Sequence, residues 1–518
     1  CGAQRGAMAA GAAASLRTEL LGILKGFGAA PSLAVLVVQA AAALEPAAGG
    51  SYGWARELMS SCEATLRSAG AETAAAHAAL ATVGELAMIC NASGLGVCTA
   101  AKPIVALVQG IAIDNSRDGE AAGGGGAAYG AAAFIALGKF CMRDADLAKR
   151  LITVFTHELA ANAQPAVRNN ALVVLFDLAK RYGDLVDRHV PAMALAICDD
   201  SPVVRHQALM LFTQLLLEDY LKWRPALFRA FCVATADAEP LVAAAARNCF
   251  HSLLMPRSPR LAFDGFVPLL FILNGCVDHP TQKATLDGRE RDKVEMAGSA
   301  HQGRRLAILR GLLSKMSDEQ RLQCTSKLCQ EVLAAVPDGT LALDPATKQQ
   351  PVLADALALL ASREIKVSAG ANKDGDDDDD APPAAAASAA ANAARGKLLT
   401  QVARKATVES IVPIVIELKR HLEGEHSPLL KDVFMFLREL LRDHKQHMQD
   451  ILSRDRQLGL EIEFEMRKMQ NVEKPMSERV SLSPGGRLSL GSNGAPGSAG
   501  GRTPTRRVPG SKSKAPAP

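Results

Sequence analysis

Aromatic residues are scarce in this chain: 4% of 518 residues, with two Trp and four Tyr. Strands draw on aromatic and β-branched side chains. The scarcity, set beside a great abundance of Ala, argues for close-packed helices rather than sheets. An excess of charge is missing too, since 58 basic against 54 acidic residues leave a formal net charge of +4. A bulk electrostatic grip on nucleic acid is thereby excluded, and any such contact has to be local. Eleven Cys are scattered without a framework spacing, and Cys141, Cys198, Cys232 and Cys249 fall at apolar helical positions. They read as reduced thiols of the cytosol or nucleus. Long apolar runs are lacking as well. The best, "LAVLVVQAAAAL" at 33–44, falls well short of the roughly 20 residues a bilayer demands and reads as a buried helix, so no membrane partner is expected. No charged segment followed by an apolar core marks a signal peptide. The first residue is Cys1 rather than Met, which fits a fragment or a processed product.

Composition divides the chain. Residues 1–14 are low in complexity, 15–118 carry weak helical patterns expected of degenerate repeats, and "GEAAGGGGAA" at 119–128 reads as a linker. Residues 129–368 are strongly helical. An acidic, Ala-rich insert occupies 369–396, in which every residue of 374–380 except Gly375 is Asp. Helical pattern resumes at 397–470, and Gly, Ser and Pro dominate 471–518. Like-charge blocks and Gly/Ser/Pro-rich stretches bury too little apolar surface to fold, so insert and tail are expected to be disordered.

What is abundant is repetition. Val204, Ala208, Leu211, Phe212 and Leu215 sit at offsets 0, +4, +7, +8 and +11, one face of a helix. The same offsets recur at Val167, Ala171, Val174, Leu175 and Leu178, and at Val242, Ala246, Cys249, Phe250 and Leu253. They recur once more at Tyr129, Ala133, Ala136, Leu137 and Phe140. The turns repeat too: "QPAVR" (164–168), "SPVVR" (201–205) and "EPLVA" (239–243) place Pro at the first helical position, where its missing N–H costs nothing. Ser201 is expected to cap its helix, with Asp200 and Glu239 facing the positive dipole ends. Between these helices Val186, Val190, Met193 and Ile197 form a partner stripe. Helix, turn, helix, turn at 37–38 residues is the pattern of an all-α HEAT-type α-solenoid.

Two long segments resemble a known family. "RNNALVVLFDLAKRYGDLVDRHVPAMALAICDDSPVVRHQALMLFTQLLLEDYLKWRPALFRAF" (168–231) is similar to the signature region of condensin HEAT subunits. "PLLFILNGC" (268–276), "SDEQRLQCTSKLCQEVLAAVPDGTLALD" (317–344), "SREIKV" (362–367) and the stretch 411–469 resemble the D-type HEAT subunit of condensin II. The resemblance runs from about residue 130 to 470, and the long N-terminal solenoid of the family is mostly absent, so a C-terminal portion is expected. It implies a non-catalytic nuclear subunit that binds the kleisin of an SMC ATPase ring beside a second HEAT subunit. It also implies contact with chromatin, through DNA or histone tails, and a role in mitotic chromosome condensation. Periodicity alone leaves open an adaptor for nuclear transport or a phosphatase scaffold.

Chemistry-bearing motifs are few. "LGKF" (137–140) lacks the Ser or Thr and the upstream Gly of a phosphate loop. Cys324 and Cys329, or His444 and His447 near Asp443, fall short of the four ligands of a structural zinc site. Asp199 and Asp200 are adjacent but sit at a turn that recurs without them at 163–164, so they read as a helix cap and not as a catalytic pair. No catalytic residue, metal or cofactor is expected. Arg304, Arg305 and Arg310 read as a helix surface. Arg168 and Arg205 occupy equivalent positions in successive repeats. They either pair along the seam with a turn acid such as Asp199 or Asp200, or present a ladder of charge to phosphates or an acidic partner. Lys180, Arg181, Lys222 and Arg224 add basic candidates, and Trp223 between the last two is either a partner anchor or a packing residue. In the tail, 481–518 hold six Lys/Arg and no acid. Thr503 has Pro at +1 and Arg at +3, as proline-directed kinases prefer, while Ser483 has the Pro alone. A phosphate at either would subtract about 1.5–2 charges from a basic segment that loosely holds DNA.

Overall fold

The structure, a computed structural model, describes residues 2–48, 51–68, 73–89, 96, 102–117, 125–276, 286–343, 349–366, 401–402, 405, 410–443 and 460. All of them lie in the unit Cys1–Ile462; Glu463–Pro518 lie outside the described residues. Among the described residues there are helices and turns and no extended strand. Ala-rich segments favour this outcome because Ala carries no side-chain entropy into a helix.

Helices α1 (Gly2–Ile23), α2 (Pro31–Ala48), α3 (Gly53–Ser68), α4 (Ala74–Met88) and α5 (Lys102–Arg117) precede the repeats. The Ala-rich start is thus helical from Gly2. The run 33–44 lies in α2, which buries Ala34, Val37, Val38 and Ala41 and leaves Leu33 and Leu36 exposed. No helix among the described residues is long and apolar enough to cross a membrane.

The repeat array comes next, in two layers. One layer stacks α6 (Gly125–Arg143), α8 (Pro165–Arg181), α11 (Pro202–Leu217) and α13 (Pro240–Arg247), which continues as a π-helix over Asn248–Leu254. The other contains α7 (Ala145–Ala161), α9 (Gly183–Asp187), α10 (Val190–Ala194) and α12 (Pro225–Ala234). Then come α14 (Leu261–Leu273), α15 (Gly288–Val294), α16 (Gln302–Leu313), α17 (Asp318–Leu328), α18 (Gln350–Leu360), α19 (Val412–Gly424) and α20 (Leu430–Asp443). α6 starts at Gly125, inside the segment read as a linker.

Pro165, Pro202 and Pro240 each open a helix at its first turn. The predicted stripe is the core. Tyr129, Val167, Val204 and Val242 are all buried, as are Phe140, Leu178 and Leu215 at the far ends. Two positions depart from the stripe. Leu211 is only half-buried, and Leu253 is 43% exposed while Leu254 takes its place in the core. The π-helix at Asn248–Leu254 explains the second: an i→i+5 turn takes up one extra residue and rotates the rest of the helix. The partner stripe Val186, Val190, Met193 and Ile197 is buried. Its helix is broken, however, into α9, α10 and a 3₁₀ turn at Leu195–Cys198. Pro191 removes a donor there, so one long helix cannot form.

Gly138 sets the spacing of α6 and α8. A Cβ at this position would lie 2.4 Å from Val174 Cγ2. Its neighbour Lys139 pairs with Glu85 of α4, which also accepts from Gln39 Nε2 of α2 at 3.1 Å. The "LGKF" segment is therefore the middle of a packed helix.

Candidate interaction surface

The two equivalent arginines make the same set of contacts. Arg168 donates from Nε and Nη2 to the carboxylate of Asp199 at 2.8 and 2.7 Å, and from Nη1 to the carbonyls of Asn162 and Ala163 at 2.9 and 3.0 Å. Arg205 stands one repeat on. Its Nη2 donates to Asp237 Oδ1 at 2.9 Å, its Nε pairs with Oδ2 at 2.8 Å, and its Nη1 donates to the carbonyls of Asp199 and Asp200 at 2.9 and 3.1 Å. Each arginine closes its own turn with one nitrogen and grips the next turn with the others. The gripped acid also organises its turn: Asp199 Oδ1 accepts from Ser201 N–H, and Asp237 Oδ1 from Glu239 N–H, both at 2.8 Å. Ser201 makes no side-chain cap, contrary to expectation, because the Asp199 carboxylate already bends the chain at that point. Asp200 points away and pairs with Lys293, which holds its carboxyl below the usual range.

A third rung lies off the repeat period. Arg305, expected on a helix surface, is instead buried, with 1% of its surface exposed. It holds Asp355, itself fully buried, at 2.6 and 3.2 Å and donates to the carbonyls of Met296 and Gly298, both at 2.7 Å. Asn274 Nδ2 adds a 3.0 Å bond to the same carboxylate. Like Arg168 and Arg205, Arg305 is the fourth residue of its helix. No spacing announces its partner, which comes from α18. A fourth buried pair joins Arg229 to Glu290 at 2.5 Å.

The remaining basic candidates lie nearer the solvent. Lys180 pairs with Glu218 at 2.7 Å and sits over the rings of Phe176 and Tyr220 at 4.9 and 5.4 Å. Arg181 is exposed, 5.7 Å from the Tyr182 ring. Arg224 makes an exposed pair with Asp187. Lys222 is exposed and makes no ion pair among the described residues. Trp223 is half-buried, with its ring 5.8 Å from Phe231 and 5.9 Å from Phe250. Its other side lines a groove of about 670 Å³ whose walls include Phe228, Pro225, Leu261 and Pro268 and whose floor holds Arg229 and Glu290.

Cys324 and Cys329 are buried, and that burial pushes both thiols up to about 12, far from the thiolate a metal requires. Among the described residues no cluster of three or more His, Cys, Asp and Glu could hold a metal ion. His444, His447, Ser483 and Thr503 lie outside the described residues.

Residues 134–342 match the family of the non-SMC mitotic condensation complex subunit 1, and residues 363–479 match the HEAT repeats described as condensin-2 complex subunit D3-like. The Xenopus laevis protein named condensin-2 complex subunit D3-L is 33% identical over 367 residues, 70% of this chain and 24% of that protein. The Mus musculus condensin-2 complex subunit D3 is 32% identical over 68% of this chain and 24% of its own length. The Homo sapiens condensin complex subunit 1 is 36% identical, but over 24% of this chain and 9% of that protein. This chain thus spans about a quarter of the length of the condensin-2 relatives it matches. No solved structure matches it significantly. The matched segments, the repeat array and the breadth of the condensin-2 matches agree: the chain belongs to the non-SMC HEAT-repeat subunits of condensin and is most like the D3 subunit of condensin-2.

Proposed function

We propose that this chain is a non-catalytic scaffold region of a condensin II subunit that holds the kleisin, works beside the SMC ATPases and a second HEAT subunit, and touches chromatin in the nucleus to promote mitotic condensation. The observation that carries the reading is the extent of the condensin-2 match, 70% of the chain, over a stacked helical array. Stacked repeats suit this role because they bury one continuous core and leave long surfaces for extended partners. Arg168 and Arg205 are closed into the seam, and Lys180 is held by Glu218 and two rings; we assign partner contact to Arg181, Lys222 and Trp223, and to Arg224, whose pair with Asp187 is exposed and open to exchange. DNA or histone tails are the chromatin ligands we assign to the basic 481–518 segment, tuned by phosphate at Thr503 and Ser483.

Co-purification with tagged kleisin from mitotic cells tests the reading. Recovery of kleisin and SMC proteins is expected. Recovery of import factors or phosphatase subunits without them would overturn it in favour of an adaptor. Charge reversal at Arg168 and Arg205 is expected to unfold the array, while reversal at Lys222 and Arg224 weakens binding and leaves the fold intact.

A further inference from the structure

We propose that the seam between α13 and α16 is the docking site of the chain's own acidic run, residues 374–380. This is a contact within the chain, and it holds whichever partners the array binds.

The seam is defined by what it lacks. At the two seams before it an arginine of one repeat meets an aspartate of the next, Arg168 with Asp199 and Arg205 with Asp237. Here Ala243 stands where the arginine would be, and basic groups line both sides. Arg247 of α13 and Arg304 of α16 donate to consecutive carbonyls at the end of α12, Thr235 at 2.8 Å and Ala236 at 3.0 Å. Further along, the His251 ring lies against Gly311, where a Cβ would stand 2.9 Å from its Cε1. Its Nε2 is buried and meets no hydrogen-bond partner among the described residues. Burial first, then the charges of Lys315 and Arg247, lower the pKa of His251, so both cations act on this ring. Arg247, Arg304 and Lys315 are exposed, and none of them pairs with a described carboxylate. The acids at the two ends of the seam do not answer them. Asp237 is held by Arg205 and Asp318 by Arg321 at 3.2 Å, and Glu239 at the start of α13 pairs with none of the three. Like charges facing one another across a seam repel, and a counter-charge brought from elsewhere relieves them.

Reach and length select the occupant. The last described residue before the insert is Lys366. Arg321 donates to its carbonyl at 3.4 Å and to that of Leu313, the end of α16, at 3.2 Å. The insert therefore starts one side chain away from the end of α16, and Lys315 is two residues past Leu313. Asp374 is eight residues beyond Lys366, a reach of up to about 28 Å. Crossing the end of a helix takes about 10–12 Å. From Leu313 back to Arg304, α16 rises about 14 Å, and the run 374–380 drawn out spans about 20 Å. One seam length thus matches one run length, with six Asp set against three cations. A tether this short gives the run an effective concentration in the millimolar range, so it fills the seam ahead of a free anion at micromolar concentration.

The first test is carbodiimide treatment of the full chain, which joins a carboxylate to a lysine amine at zero length, with mass spectrometry of the monomer band. A cross-link from 374–380 to Lys315 is expected, and it should fade at 1 M salt, where charges are screened beyond about 3 Å. The second test uses a fluorescent synthetic peptide of residues 369–383, followed by anisotropy. Asp374→Asn, with the same change at 376–380, empties the seam. The probe is expected to bind that variant at least tenfold more tightly than the wild type. Adding Lys315→Glu and Arg304→Gln should cancel the gain, and adding Lys222→Glu, on exposed surface elsewhere, should leave it. Circular dichroism melts should be unchanged throughout. Cross-links that run only to Lys512 and Lys514 of the basic tail, or only between two copies, would overturn the proposal. So would equal binding of the probe to the wild type and the Asn variant. A gain for a DNA duplex with none for the acidic peptide would overturn the choice of occupant.

Discussion

Asp355→Ala is the substitution with the largest expected cost. It removes a fully buried carboxylate and leaves the Arg305 guanidinium with two carbonyls and no counter-charge. Stripping one partner from a buried pair costs about 3–5 kcal/mol, because the remaining charge keeps its desolvation penalty. Asn274 Nδ2 loses its side-chain acceptor as well and keeps only the Leu270 carbonyl, which places the cost at the upper end. The exposed Asp264→Ala serves as reference and should stay within about 0.5 kcal/mol. Urea titration followed at 222 nm reads both, taken as midpoints because repeat arrays need not unfold in one step. The same balance of charge and desolvation fixes the double variant. Arg305→Met with Asp355→Leu removes both charges and fills the space, so it should recover most of the loss. If Asp355→Ala lowers the midpoint no more than Asp264→Ala, or if the double variant is as damaged as the single, the pair does not hold α16 to α18.

Gly138→Ala should cost about 1–3 kcal/mol by overpacking, since its Cβ would meet Val174 at 2.4 Å; adding Val174→Ala should return part of it in the same titration. His251 gives a pH signature. Burial first, then Lys315 and Arg247, lower its pKa from 6.5 to about 4. The unfolded chain therefore takes up a proton below 6.5 that the folded one refuses until about 4. Stability is full above pH 6.5 and declines as the pH falls toward 4, and His251→Gln should flatten that part of a midpoint-against-pH curve.

The stripe at offsets 0, +4, +7, +8 and +11 fell on buried residues at all of its positions in the four repeat helices except Leu211 and Leu253, because helical period and burial are the same geometric fact. It failed at Leu253, where a π-turn shifts the register without a sequence mark, and it missed the break in the partner helix although Pro191 stood in plain view. The seam pairing of Arg168 was legible because donor and acid share one repeat spacing. Asp237 comes by the same step, but Asp355 does not: 50 residues separate it from Arg305, and no local pattern encodes that closure. The groove was half legible. Trp223 between two cations marks its rim, while Gly265 and Pro268 belong to a helix whose packing only three dimensions disclose.

The arginine rungs have a mechanical consequence. A bidentate pair resists rotation of one helix pair against the next far better than apolar contact, which can slide. The rungs that follow the repeat period stand at Arg168 and Arg205, and the third, Arg305, comes only in α16, while the place equivalent to them in α13 is Ala243. Under a pulling load, the segments tied by rungs act as stiff links, and the strain collects at the joint after α13. A chain that must flex while it holds on would flex there first.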